Sequence, residues 1–145
     1  MPIQWRTDYA IRLMYEAARL GPGSRGTVQQ LAANASISYD FARQIANELV
    51  HAGLLESHRG AGGGMELARP ARQITILDIF NALGEPPSLA LCTVDNTVCQ
   101  RPPICPIHHS VYLSLDKLIE EHLGSVNLED CVDKGEALRL SLASG

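Results

Sequence analysis

The chain has 145 residues, 46% of them hydrophobic, with a formal net charge of -4 and four cysteines. That length supports one hydrophobic core, or a small domain with an added dimerisation element. No apolar run approaches the length of a membrane span, which excludes a transmembrane helix.

Charges run through the N-terminal stretch, so a secretory signal is not expected. The expected location is therefore a reducing cytoplasm, where a cysteine cluster serves metal binding or redox chemistry more readily than a structural disulfide framework. The charge is unevenly spread: residues 1–72 hold eight basic residues against six acidic ones, residues 73–145 four against ten. All eight basic residues of the first half are arginines, the side chain suited to forked contacts with phosphates and base edges.

In chain order, Ile11, Met14, Tyr15 and Ala18 recur at helical spacing, and the turn formers of residues 21–26 end that helix. Asp8 falls at the top of the face expected to be buried, and its charge suits the positive end of the helix dipole. Thr27 and Gln30 form a capping-box pattern, opening a short helix through Leu31 to about Ala33. Asn34 serves the turn, and Ser36 or Ser38 caps a second helix carrying Phe41, Ile45 and Leu49 inward before Gly53 stops it. Two short capped helices joined by a tight turn make a helix-turn-helix. Ser38 at the start of the second helix and Tyr39, Asp40, Arg43, Gln44 and Asn47 along its outer side face outward. Arg pairs with guanine, and Gln or Asn with adenine, in a major groove. The plain alternative is a helical hairpin with a solvated polar face.

Residues 54–58 then read as a strand, residues 59–64 as a glycine-rich loop and residues 65–68 as a returning strand, which turns the helix-turn-helix into a winged helix. His58 and Arg59 at the base of the wing are placed for a narrow minor groove, where arginine is favoured. A nucleotide-cradling loop is excluded, because no helix and no Lys-Ser/Thr pair follow the glycines. Thr75 and Asp78 form a second capping pair with Ile74 and Ile79 as a hydrophobic staple, predicting a helix from about Ile76 to Leu83.

Cys92, Cys99 and Cys105 follow, with Pro102, Pro103 and Pro106 among them, in a segment that can be neither regular helix nor central strand. Beyond it, Ile107, Val111, Leu115, Leu118 and Leu123, widened by Tyr112 and Ile119, predict a long helix with an apolar stripe that needs a partner. A symmetric homodimer is the simplest one. The tail after Asn127 is expected to be a short closing segment with a frayed end. The fold class is thus mainly α with a small β-hairpin wing. It divides into a winged helix-turn-helix at 1–84, a cysteine loop at 85–106, and a dimerisation helix with a C-terminal segment at 107–145.

Several chemistries suit the cysteines. A zinc site of three Cys and one His is allowed, although the spacings exceed those of structural zinc knuckles. A disulfide between Cys99 and Cys105 would make a metal-free thiol switch. Cys105 with His108 lacks an orienting group and a substrate pocket, so no enzyme is expected.

Taken together, TDYAIR at 7–12, SHRGAGGGMELARP at 57–70, ITILDIFNALG at 74–84 and the three-cysteine loop resemble the Rrf-type winged-helix iron-sulfur regulators. That group includes the cluster regulator IscR, the nitric oxide sensor NsrR and the iron-responsive RirA. The likeness covers nearly the whole chain and is closest in motif to the nitric oxide sensor branch. One departure is Met65, where the family usually has Tyr. The resemblance implies a homodimeric repressor on a double-stranded DNA operator, sensing nitric oxide, redox or iron status, with an iron-sulfur cluster on Cys92, Cys99 and Cys105. It offers two fourth ligands. Asp8 of the other subunit goes with a 4Fe-4S cluster and is favoured from the TDYA phrase, and His108 goes with a 2Fe-2S cluster. His109 and Cys131 are expected to be structural, Cys131 as a small buried residue.

Overall fold

The computed structural model describes residues 3–90, 92, 95 and 105–145 of the chain. Helix α1, Trp5–Arg19, buries Thr7, Ala10, Leu13, Met14 and Ala17. Ile11 and Tyr15, expected inward, are only partly buried. The stripe is turned because α1 packs against four other helices and the wing at once, and its alanines let those neighbours approach closely. Asp8 accordingly leaves the buried face: its side chain is 44% exposed and pairs with Arg12 at 2.6 Å.

Helix α2, Val28–Ala35, opens on the expected box, with the Gln30 N–H donating to Thr27 Oγ1 at 3.1 Å and the Thr27 N–H donating to Gln30 Oε1 at 3.0 Å. Ser36 takes a left-handed conformation, φ 57°, and ends it. Ser38 then caps α3, Tyr39–His51, accepting from the Phe41 N–H at 3.4 Å. The inward line of α3 is Ala42, Ile45, Ala46 and Leu49. Phe41 was expected on that line but is 43% exposed. It instead packs edge-on against Trp5, 4.9 Å between ring centres, at the flank where α3 meets α1.

The wing pairs β1, Leu55–His58, with β2, Gly64–Leu67, in antiparallel register Leu55↔Leu67, Glu56↔Glu66, Ser57↔Met65 and His58↔Gly64. Alternation puts Leu55 and Met65 on the core side and Glu56, His58 and Glu66 on the other. Gly26 bonds Met65 in both directions, at 2.7 and 3.1 Å, so the hairpin is pinned to the loop before α2. Gly64 has no substitute here: its φ is 132° and a Cβ would stand 2.8 Å from the Gly26 carbonyl oxygen. Met65, where an aromatic was expected from the resemblance, is 4% exposed and completes the core under the wing.

A 3-10 turn, Ala71–Gln73, leads to α4, Ile76–Ala82, which carries the second capping box, Thr75 with Asp78. Ile74 and Ile79 are fully buried. Beyond the cysteine region a π turn, His108–Tyr112, runs into α5, Leu113–Ser125. The tail is a correction to the sequence reading. It is a 17-residue helix, α6, Leu128–Ser144, started by a capping box between Asn127 and Asp130. It returns to the winged unit: the Ile76 N–H donates to the Val126 carbonyl, the Leu128 N–H to that of Ile74, and Leu128 is fully buried in the core. Among the described residues no helix is long and apolar enough to cross a membrane.

Candidate nucleic-acid interface and cysteine site

Capping by Ser38 aims the first turn of α3 outward, and Ser38, Tyr39, Asp40, Arg43, Gln44 and Asn47 are all exposed along it. Tyr39 and Asn47 share a shallow concavity with Thr27, Gln29, Ser57 and Gly64, so the outer side of α3 and the inner edge of the wing form one surface. Arg59 is exposed at the tip side of β1. His58 behaves differently from its neighbour. It is half-buried, with Nε2 2.6 Å from Glu66 Oε1 on the facing strand.

The structure brings Cys92 and His108 together, with Cys92 Sγ 3.4 Å from His108 Nδ1. Cys105 sits at the foot of the same helical turn, its carbonyl accepting from the His109 N–H at 3.1 Å. His108 opens a π turn, a local widening of the helix that recurs at functional sites. Cys99 lies outside the described residues. Asp8 stands on α1, half-exposed and held by Arg12. Cys131, expected to be buried, is partly buried against the core. Burial first, and then the charge of Asp130, push its thiol above the ordinary range.

Two groups of charged residues escaped the sequence reading. Asp116, a charged residue that is not among the apolar positions of α5, is the buried residue of that helix. It accepts from Ser88 Oγ at 2.8 Å and the Leu89 N–H at 2.9 Å, anchoring the chain just before Cys92. Arg6, in the first turn of α1, donates to Glu48 of α3 at 2.6 Å and to Glu85 at 2.6 Å; Thr7 Oγ1 also donates to Glu85. The hydrogen bond to Glu48 is the largest of the effects that raise the Arg6 pKa. Thus Arg6 ties α3 to Glu85, the residue that leads into the cysteine segment. No sequence pattern announces either arrangement, because each joins residues far apart in the chain.

A helix-turn-helix whose second helix is exposed and flanked by a glycine-rich hairpin defines a winged-helix DNA-binding protein. The model of the Rrf2 family, described as iron-dependent transcriptional regulator, matches residues 3–134. The chain therefore belongs to the Rrf2 family of transcriptional regulators, and it is not an enzyme. Among solved structures it is similar to CymR (YrzC), the global cysteine regulator of B. subtilis, at 25% identity over 92% of this chain and 98% of that one, with a TM-score of 0.78. It is equally similar to IscR of T. potens, at 25% identity over 95% of this chain and 90% of that one, TM-score 0.78. CymR of Staphylococcus aureus, 23% identical over 89% of this chain and 96% of that one, shares the fold at a TM-score of 0.69.

Proposed function

We propose that this regulator is a homodimeric, cytoplasmic repressor whose operator affinity is set by an iron-sulfur cluster on Cys92, Cys99 and Cys105, in answer to nitric oxide, iron or redox status. The observation that carries the reading is the 3.4 Å approach of Cys92 Sγ to His108 Nδ1, with Cys105 beginning the same turn. A thiol meeting an imidazole in this way, with a second cysteine at the foot of the same turn, supplies donor types that suit such a cluster. When bound, the cluster supplies a centre that exchanges electrons and ligands. His108 is the fourth ligand available within the chain. Asp8 of the partner subunit is the competing assignment, supported by the half-exposed position of Asp8 on α1.

On DNA, Ser38, Tyr39, Arg43, Gln44 and Asn47 enter the major groove and Arg59 reaches the minor groove beside His58. Asp116 positions the cysteine segment, and Arg6 carries its displacements to α3 through Glu85 and Glu48.

Anaerobic purification followed by a visible spectrum with iron and sulfide counts tests the reading. About four irons per chain go with 4Fe-4S and Asp8, and about two with 2Fe-2S and His108. A colourless protein that resists reconstitution overturns the cluster and leaves a winged-helix regulator run by a thiol switch or zinc.

A further inference from the structure

On the outward face of the wing, two carboxylates stand directly opposite one another: Glu56 on β1 is paired in register with Glu66 on β2. Like charges at opposed positions of a hairpin repel, and such a pair persists where a cation lies beside it. His58, two residues from Glu56 on the same face, completes the group. One donor atom of each of the three side chains lies within 4.8 Å of the other two. His58 Nε2 is 2.6 Å from Glu66 Oε1 and 3.5 Å from Glu56 Oε2. It is shut off from solvent, yet it makes no aligned hydrogen bond to either carboxylate. A buried ring nitrogen within 3.5 Å of two carboxylates and in no hydrogen bond with proper geometry is an available ligand.

We propose that Glu56, His58 and Glu66 form a divalent-cation site at the base of the wing, separate from the cysteines. One imidazole with two carboxylates suits a first-row cation, either borderline zinc or harder manganese. Donors about 2.0–2.2 Å from a shared ion lie no more than about 4.4 Å apart, so a small swing of the exposed Glu56 closes the set. Arg25 is the competitor. It pairs with Glu66 at 3.3 Å and also donates to the Gly62 carbonyl at 3.3 Å. Binding an ion loosens the first of these contacts and keeps the second. With the ion bound, β1 and β2 are tied across the hairpin, and Arg59, the next residue after His58, is held where the wing meets DNA.

Manganese(II) is the probe, because a hard cation avoids the cysteine thiolates that would capture zinc. The whole protein is titrated with Mn2+ and the six-line electron paramagnetic resonance signal of the free ion is followed. The expected result is loss of about one equivalent of signal per chain. Cys92→Ser should leave the binding intact, His58→Gln and Glu66→Gln should abolish it, and Arg25→Ala should tighten it by removing the competitor. Glu56→Gln, a change at an exposed position that leaves the core untouched, should weaken it and guards against misfolding of the other variants. An undiminished free-ion signal with wild-type protein overturns the site. So does binding that survives in His58→Gln and Glu56→Gln, or that Cys92→Ser removes.

Discussion

His108 and Asp8 are chemically different candidates for one position, and iron retention separates them. His108 touches Cys92 within its own chain, whereas Asp8 is already neutralised by Arg12 at 2.6 Å. If His108 is the ligand, His108→Ala lowers iron per chain after anaerobic purification while Asp8→Ala leaves it unchanged; the reverse result assigns the role to Asp8. Asp116 bears on the same measurement less directly. Asp116→Ala leaves the Ser88 hydroxyl and the Leu89 N–H without this acceptor, at a cost of roughly 1–3 kcal/mol. It should quicken iron loss to a chelator, and an unchanged rate would mean that the anchor does not position Cys92. Cys131 is the contrast. Its thiol pKa is raised in the fold by burial and by Asp130, so its neutral form is the one the native state favours. The stability this contributes is full below the unfolded thiol pKa and is lost as pH rises toward and through the raised folded value. Cys131→Ser should therefore flatten the decline of melting temperature on the alkaline side and leave iron content unchanged. At this scale the sequence was informative where helical spacing sets exposure, as with the outward Arg43. It was silent on Asp116, whose burial depends on a loop 27 residues earlier in the chain.

Elements with local signals were legible to within a residue or two. The capping boxes at Thr27 and Thr75 satisfy backbone groups inside four residues, so the pattern alone places both helix starts. The hairpin ends followed from its glycines for the same reason. Faces were less legible than ends. Phe41 was assigned to the core because of its spacing from Ile45, but the tight approach of α3 to α1 and α2 is made by Ala42 and Ala46, and the bulky ring is displaced to the rim beside Trp5. Helix α6 was missed because its exposed leucines, 138, 140 and 142, do not follow a helical stripe. Only Asn127 and Asp130 marked its start. The Arg6 clamp shows how these elements are joined. Arg6→Ala removes the ion pairs to Glu48 and Glu85 in partly exposed surroundings, so the loss is about 1 kcal/mol, or about 2–4 °C in melting temperature. Its larger effect should fall on regulation, with the difference in operator affinity between cluster-bearing and cluster-free protein shrinking. A difference that stays at the wild-type size would show that the clamp is only structural.

For the molecule as a whole, the question is what covers the helix beyond the cysteines. Ile107, Val111 and Leu115 are each 40–45% exposed and Leu118 60%, while Asp116 is the one described residue of α5 that is buried. A stripe of large apolar side chains left open along two consecutive helical segments is more than a monomer's surface usually carries, and two such stripes packed together move toward the roughly 800 Å² per partner of a stable interface. The acidic excess of residues 73–145 lies in the half of the chain that would join the copies, and eight of the ten arginines lie in the half that holds the winged helix. Leu118→Asp puts a charge in the middle of the stripe without touching the winged core. It should convert the protein to a monomer in sedimentation at micromolar concentration, with an unchanged circular dichroism spectrum. Because a monomer grips one half-site only, affinity for a two-fold operator should fall about 10²- to 10⁴-fold, the factor that linkage of two sites supplies, while the salt slope falls to about half as phosphate contacts are lost. A Leu118→Asp protein that still sediments as a dimer would move the interface elsewhere. One that is monomeric yet binds the operator as tightly as wild type would separate dimerisation from recognition.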